Sequence, residues 1–473
     1  MSLYIFLQLI IYITDKMTKG YTMQLLTHSW LLAEYGNNLK LKEVPTLVVE
    51  YTKLLLLDLI GAAIAGTQTE ESQKILLACK DYGGNFGVSP LWGTGFKASE
   101  GLSALHNGVI SHALELDDFN GADHSGAVVI PAVLAVAARY PEISSTRLLE
   151  SIIVGYDVAK RILDGCGGYQ GANAEGWHST GTIGSFAAAA AVSKMLNLNT
   201  IQTANALGLA GSFTGGTWAF LADGSMSKRY HAGRAAETGI LVAYMAKNGF
   251  TGPMHVLDAE WGGYFNLYAP KSTDISTVTA NLGKDFRILH AGIKPYASCR
   301  GIHSSIDGIL ELKKTVNLNA ENVDFIEVSC NERQFKQLKQ ATPTTRLDAQ
   351  LSLPYSLAIT LLEGKASLEL YMEPWLHNPA VLKLAQRVKM IPIIGYMGEP
   401  TLKVVTIDGQ IYKKRIELAK GDPKNPLTND EIITKYMNLI TRVYTHIKAC
   451  SIKEKILTLN EGASISALIK EIS

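Results

Sequence analysis

The chain has 473 residues, of which 47% are hydrophobic and 18% are charged, a composition typical of a folded protein with a large core. Lysine plus arginine number 44 and aspartate plus glutamate 43, so the net charge of +1 excludes bulk electrostatic attraction to nucleic acid or an acidic membrane. Five scattered cysteines without Cys-x-x-Cys spacing favour reduced thiols in a cytoplasmic protein over a disulfide framework or an iron–sulfur cluster.

The N-terminus begins with an apolar stretch that is unlike a membrane anchor. Residues 3–14 are too few to span a bilayer, no lysine or arginine precedes them, and no small-residue cleavage site follows. Met17 and Met23 come next. We therefore expect residues 1–23 to be a non-native or disordered extension.

The chain from residue 24 to about 266 has apolar residues at helical spacing, separated by short breaks. Predicted helices in this part cover 46–65, 102–116, 127–140, 147–163, 181–196 and 234–247. Runs of small residues, such as the five alanines at 187–191, indicate helices packed closely inside a bundle.

The periodicity changes after residue 270. Strands are predicted at 286–290, 323–328, 387–391, 402–407 and 410–413, and helices at 302–313, 353–362 and 432–447. Asp408-Gly409 predicts a hairpin with a type I′ turn, and Thr428 with Glu431 predicts a capping box. We predict a mostly α fold, with a helical domain from 24–270 and 420–473 and a smaller α+β lid from 271–419.

Three short blocks, 115–124, 176–182 and 227–234, place ionisable groups among glycines and small residues. Together they contain carboxylates, imidazoles and cations, the groups needed to move protons on an anionic substrate. No metal-ligand spacing or phosphate-binding loop competes with them, and the glycine-rich stretch 211–224 lacks nucleotide-binding spacing. We therefore expect neither a metal nor an organic cofactor.

The first block carries Glu115, Asp117 and Asp118 at the predicted end of a helix. Carboxylates are unfavourable there because they oppose the helix dipole, so another group must compensate them. We interpret them as part of a site that handles protons or is bound by cations. A solvated loop edge is the alternative.

Two histidines lie at predicted helix openings. His124 precedes an apolar helix, whose free N–H groups attract anions and lower the pKa of an imidazole. His178 follows Trp177, an apolar wall that would tune its pKa. We predict both to be catalytic; a surface N-cap and a structural histidine are the respective alternatives.

Two cationic segments complete the candidate site. Lys228 and Arg229, with His231 and Arg234, place cations at the opening of a helix. Cations are disfavoured there unless an anion joins them, and a substrate carboxylate would be that anion. Lys294, Arg300 and His303 form a similar turn in the smaller unit. A solvated basic patch is the alternative.

These blocks resemble the MmgE/PrpD family, which includes 2-methylcitrate dehydratase, cis-aconitate decarboxylase and iminodisuccinate epimerase. The resemblance is carried by residues 112–118, 124–132, 176–178, 228–236, 249–253, 294–300 and 425–428, with 435–436. It implies a helical domain built from both chain ends, an α+β lid, a homodimer, and a site in the cleft without metal or cofactor. It also implies active-site positions at Asp117 or Asp118, His124, His178, Lys228 and Tyr355.

The resemblance implies a metal-independent lyase acting on a small di- or tricarboxylate by acid–base proton transfer. Lys228, with Arg229 or Arg300, would neutralise carboxylates. His178 would act as base, and His124 as the acid that protonates a leaving hydroxyl or the carbanion left by carbon dioxide. Dehydration of 2-methylcitrate type and decarboxylation of cis-aconitate type both fit this set. The alternatives are an epimerase of an iminodisuccinate-type dicarboxylate and a non-catalytic dicarboxylate-binding protein.

The first block departs from the family pattern at two positions. Phe119 stands where some decarboxylase-type members have a small hydroxyl residue, and Glu115 where many members have aspartate. Three motifs nevertheless resemble the fungal cis-aconitate decarboxylase pattern more than the longer methylcitrate dehydratase pattern: residues 115–119, 124–125 and 176–178.

Overall fold

A computed structural model describes residues 27–83, 86–119, 123–396, 398–460 and 462–473. The predicted N-terminal extension, 1–23, lies outside the described residues. The mostly α fold is confirmed. The first part of the chain forms α1 (His28–Asn38), α2 (Thr46–Gly66), α3 (Glu70–Gly83), α4 (Glu100–His112), α5 (Ser125–Arg139), α6 (Ser145–Gly165), α7 (Gly168–Ala172), α8 (Ser179–Met195), α9 (Thr200–Gly211), α10 (Ser227–Lys247) and α11 (Tyr264–Tyr268), with a short antiparallel pair, β1 (Ser89–Pro90) and β2 (Lys97–Ala98).

The second part mixes helices with one four-stranded sheet. Its helices are α12 (Arg300–Val316), α13 (Glu332–Leu338), α14 (Arg346–Gln350), α15 (Leu353–Glu363), α16 (Pro379–Ala385), α17 (Asn429–Ile440), α18 (His446–Leu457) and α19 (Ile465–Ile472). Its strands are β3 (Val323–Cys330), β4 (Val388–Pro392), β5 (Thr401–Thr406) and β6 (Ile411–Arg415). The sheet order is β4-β3-β5-β6, with β4 parallel to β3 and the other neighbours antiparallel.

The helices of the first part pack closely because their contact faces are small. α8 is buried along its whole length, and α6 and α10 both lie against it. A Cβ added at Gly239 of α10 would come within 2.2 Å of the Ala188 Cβ, so only glycine allows these two helices to approach this far. The alanine run 187–191 therefore allows the close helix packing that its composition predicts.

The predicted hairpin is confirmed, but its turn type is wrong. Gly409 has a φ of 83°, whereas Asp408 is not among the residues with positive φ, and a type I′ turn needs both. The Gly409 N–H donates to the Thr406 carbonyl at 2.9 Å. This is a type I turn followed by a left-handed glycine, which suits a longer hairpin loop.

Two further element predictions are wrong. The strand predicted at 286–290 is a 3-10 turn, Arg287–His290, because the Arg287 N–H donates to the Asp157 side chain at 2.6 Å rather than to a neighbouring strand. The helix predicted at 432–447 is divided, because the Thr445 side chain accepts from the Lys448 N–H and starts a new helix there.

Buried apolar residues form two large cores. The first core comprises buried residues from Leu32 to Ile293 and from Ile432 to Ile472, and the second core those from Ala297 to Val404 with a few side chains from 62–116, 220 and 439. α17 packs on α2, so the C-terminal helices join the first core. The division into a helical domain and a lid, and the homodimer, stay predictions. Within the described residues, no helix is both long and apolar enough to cross a membrane.

Candidate active site

A cavity of about 810 Å³ lies between the two cores. Five residues proposed from the sequence are on its wall, namely Glu115, His124, Lys228, Lys294 and Arg300. Apolar residues share the wall, including Phe119, Leu163, Tyr169, Trp218 and Leu289. Mixed walls of this kind suit a small molecule with a few charged groups.

Three cationic side chains bind Glu115, which lies just beyond the end of α4. Lys228 Nζ and Arg229 Nη1 both bind its Oε1 atom, and Lys294 Nζ binds Oε2 at 3.2 Å. All four side chains are almost fully buried. Arg229 lies behind the wall, where its Nη2 donates to Gln350 at 3.2 Å. Lys228 and Lys294 are therefore the two cations of this cluster that line the cavity.

The pKa values in this cluster follow from burial and pairing. Burial alone would raise the pKa of Glu115, but Lys228, Lys294 and Arg229 outweigh it and hold that pKa well below its usual value. Burial lowers the pKa of Lys228, and Glu115 offsets this only in part. Burial opposes the charge of Lys294 too, yet Glu115 and Asp117 raise its pKa overall.

Asp117 lies between two imidazoles. Its carboxylate is 3.0 Å from His112 Nδ1 and 2.9 Å from His124 Nδ1. Burial raises the pKa of Asp117, but the two histidines hold it well below its usual value. His124 Nδ1 also lies 3.1 Å from the Asp118 carbonyl oxygen. With Nδ1 engaged by these oxygens, Nε2, which is 3.9 Å from the Asp123 carboxylate, is the atom left to exchange a proton, as in other histidines held by a carboxylate.

Asp118 is buried beside this pair rather than on the cavity wall. Its Oδ1 accepts the Gly126 N–H at 3.0 Å, and its Oδ2 has no hydrogen-bond partner among the described residues. Burial, and then the neighbouring Asp117, raise its pKa to about 7. Its predicted catalytic role stays a prediction.

His178 is fully buried one layer behind the wall. Its Nδ1 is 2.9 Å from His231 Nδ1, and its Nε2 is 4.0 Å from the Asp123 carboxylate, which does line the cavity. Trp218 packs edge-on against the ring. Burial, followed by the nearby His231 and Lys228, holds the pKa of His178 well below its usual value, so this imidazole is neutral.

The other proposed residues occupy different surroundings. Arg300 lies on the cavity wall but already binds Glu399 at 3.0 Å and Asp422 at 3.1 Å. His303 is buried, with Nε2 3.1 Å from the Ser298 carbonyl, and is not on the wall. The Tyr355 hydroxyl donates to the Leu370 carbonyl at 2.8 Å inside the second core. The roles proposed for His303 and Tyr355 stay predictions, which their positions do not support.

Sequence reasoning assigned no role to two residues that belong to this network, His112 and Asp123, and it grouped a third, His231, only with the cations that open α10. His112 stands five residues before Asp117, and His231 one helical turn after Lys228, so their spacing alone puts them near known candidates. Asp123 has a φ of 76°, a strained conformation for aspartate.

Two sets of side chains bring ligand atoms within 4.8 Å of one another and share His124. One contains His112 and Asp117, and the other Asp123 and His178. Imidazole with carboxylate is a donor set that zinc and related metals accept. The expected independence from metal therefore stays a prediction.

Comparison with known proteins identifies the family. The model of the MmgE/PrpD N-terminal domain matches residues 31–275, and that of the MmgE/PrpD C-terminal domain matches 296–461. The chain belongs to the MmgE/PrpD family. The resemblance drawn from the sequence motifs is thereby confirmed.

Several MmgE/PrpD relatives match over nearly the whole chain. Cis-aconitate decarboxylase-like protein oryM of Aspergillus oryzae is 28% identical over 471 residues, covering 93% of this chain and 96% of that protein. Cis-aconitate decarboxylase of Aspergillus terreus is 26% identical, with 93% and 94% covered. The Homo sapiens cis-aconitate decarboxylase is also 26% identical, with 87% of each covered.

Proposed function

We propose that the protein is a metal-independent lyase of small di- or tricarboxylates, and that decarboxylation of a cis-aconitate-type substrate is its reaction. The observation that carries this is His124, which lies on the cavity wall, is held by Asp117 at 2.9 Å, and shares that wall with Lys228 and Lys294. The MmgE/PrpD relatives named cis-aconitate decarboxylase support the choice among lyase reactions.

Substrate carboxylates would bind Lys228 and Lys294, whose charges Glu115 only partly balances. The carbon–carbon bond to the departing carboxylate breaks, carbon dioxide leaves, and the electron pair stays on the substrate carbon. The Nε2–H of protonated His124 gives its proton to that carbon. Asp117 stabilises the imidazolium before the transfer, and water entering the cavity supplies the next proton.

His178 has a different part in this proposal. Its neutral imidazole suits a base, but it lies behind Asp123 and would act on the substrate through that carboxylate or after a side-chain movement. In a dehydration, His178 would remove the α proton and His124 would protonate the leaving hydroxyl. Decarboxylation needs only the acid, which is the group on the wall.

Product identification tests the proposal directly. The purified protein is incubated with cis-aconitate, 2-methylcitrate, citrate and iminodisuccinate in buffer with EDTA, and products are identified by NMR. We expect turnover of cis-aconitate and a loss of about two to four orders of magnitude in kcat for His124→Gln. His255→Gln is the matched control, because His255 is an exposed histidine far from the cavity wall.

Each rival has its own outcome in this assay. If the protein removes water from 2-methylcitrate, its reaction is dehydration and not decarboxylation. If it inverts iminodisuccinate, its reaction is epimerisation. Carboxylate binding without turnover of any of the four would support a binding protein. Activity that EDTA abolishes and a divalent metal restores would show that the His124 sets hold a metal.

A further inference from the structure

One wall of the cavity is formed by α13 and by Asn331, which precedes it. Asn331, Arg333, Gln334 and Gln337 all line the cavity and present amide or guanidinium donors. None of them belongs to a motif that the sequence singled out. This wall comes from the segment between β3 and α14, whereas Glu115 follows α4 and Lys228 lies in α10.

Arg333 differs from the other cations on the wall in its partners. Its Nη1 donates to the Tyr169 carbonyl at 3.2 Å and its Nη2 to the Gln170 carbonyl at 2.5 Å. Among the residues that the structure describes, no carboxylate forms an ion pair with it. A guanidinium has five N–H donors, so two neutral carbonyls leave donors unused, and the Tyr169 ring, 5.7 Å from Cζ, meets its charge only through a cation–π contact.

The remaining cations are already paired or exposed. Lys160 binds Asp164, and Arg300 is shared by two carboxylates. Lys424 is exposed at the rim. Arg333 is therefore the half-buried cation of this wall whose charge a ligand would balance.

The charge around Glu115 suggests what that ligand is. Of the three cations that share the Glu115 carboxylate, Lys228 and Lys294 line the cavity and Arg229 lies behind its wall. Each lysine can bind one substrate carboxylate, so a third carboxylate needs a cation elsewhere. A planar guanidinium matches a carboxylate through two parallel hydrogen bonds.

We propose that Arg333 forms a second carboxylate subsite and makes the cavity selective for tricarboxylates over dicarboxylates. This rests on the proposed function, because it assigns the carboxylates of the same substrate to different segments of the cavity wall. Lys228 and Lys294 hold the carboxylates near His124, and Arg333 holds the remaining one.

Calorimetry with unreactive ligands tests the subsite without relying on turnover. The probes are propane-1,2,3-tricarboxylate and two dicarboxylates that each lack one of its carboxylates, glutarate and methylsuccinate. For Arg333→Gln we expect about ten- to hundredfold weaker binding of the tricarboxylate, and less than about threefold change for the dicarboxylates. Arg333→Lys should retain part of the affinity.

Arg387→Gln is the matched control. Arg387 also donates to a backbone carbonyl, that of Val323 at 3.0 Å, but is not on the cavity wall. Unchanged tricarboxylate binding by Arg333→Gln, or an equal loss for all three ligands, would overturn the subsite and leave the proposed function standing. Failure of the wild-type protein to bind any of the three would overturn both.

Discussion

Glu115 combines an unfavourable backbone with a strongly favourable side-chain environment. Its φ of 55° is in the left-handed region, which costs a residue other than glycine about 1 kcal/mol or more. In that conformation its carboxylate meets Lys228, Arg229 and Lys294. The strain is maintained because three cations would otherwise be buried without a counter-charge.

Asp118 gives a prediction about pH and stability. Its pKa is about 7 in the folded protein against an ordinary 3.8, so between these values the folded chain holds a proton that the unfolded chain has lost. The contribution of Asp118 to stability therefore falls as pH rises from about 4 to 7. Asp118→Asn should gain stability relative to the wild-type protein over this range, by on the order of 2–4 kcal/mol.

Urea unfolding of both proteins at several pH values between 4 and 8 measures this difference. A difference in the free energy of unfolding that stays constant with pH would show that Asp118 is ionised in the folded state. Turnover is measured in a separate assay, because the Asp118→Asn substitution would also lower kcat if Asp118 is catalytic.

At the scale of elements, the acidic loop after α4 is held from three directions. Phe119 exchanges two backbone hydrogen bonds of 3.0 Å with Gly292, and Gln350 donates to the Leu114 carbonyl at 2.8 Å. From α17, Lys435 donates to the Leu116 carbonyl at 2.6 Å and pairs with Asp58 at 2.7 Å. The C-terminal part of the chain thus positions the acidic segment 115–117.

Replacing Lys435 by methionine should affect stability and catalysis by separate routes. The variant leaves the Asp58 carboxylate buried without its cation, which costs about 3–5 kcal/mol. It also removes the donor to Leu116, so we expect kcat to fall. Adding Asp58→Asn should restore much of the stability, measured by urea unfolding, while kcat stays low.

Lys455→Met is the control for this prediction. Lys455 binds Glu471 at 2.6 Å on the surface of the C-terminal helices, where an ion pair contributes about 1 kcal/mol at most. Its loss should leave kcat unchanged. If the double variant at Lys435 and Asp58 recovered full activity as well as stability, Lys435 would have no positioning role.

Local patterns in the sequence predicted what depends on neighbours along the chain. The capping box at Thr428 and the alanine-rich α8 are examples, since both follow from spacing within one element. The strand predicted at 286–290 failed because its backbone binds Asp157, a residue far away in sequence. The same limit applies to the site. The sequence identified Lys228 and Lys294 as candidate cations, but it could not predict that both bind Glu115.

For the whole molecule, the two chain ends share one core. Ile432, Tyr436 and Ile440 of α17 are buried in the first core, and Tyr436 lies against Gly61 of α2, where an added Cβ would be 3.0 Å from its ring. The family models instead divide the chain near 275–296 and place most of this segment with the C-terminal domain. The boundaries of the family models and the packing of the cores therefore assign the C-terminal helices to different halves.

A deletion decides between these two assignments. We predict that a chain ending at residue 419 loses its cooperative thermal unfolding transition, because removing α17, α18 and α19 exposes apolar surface of α2 in the first core. Co-expression of residues 420–473 as a separate chain should restore the transition, since the lost contacts are noncovalent. Residues 296–461 alone should not fold, as their α17 would lack its partner. A chain ending at 419 that melts within a few degrees of the full-length protein would mean that the first core is complete without the C-terminal helices.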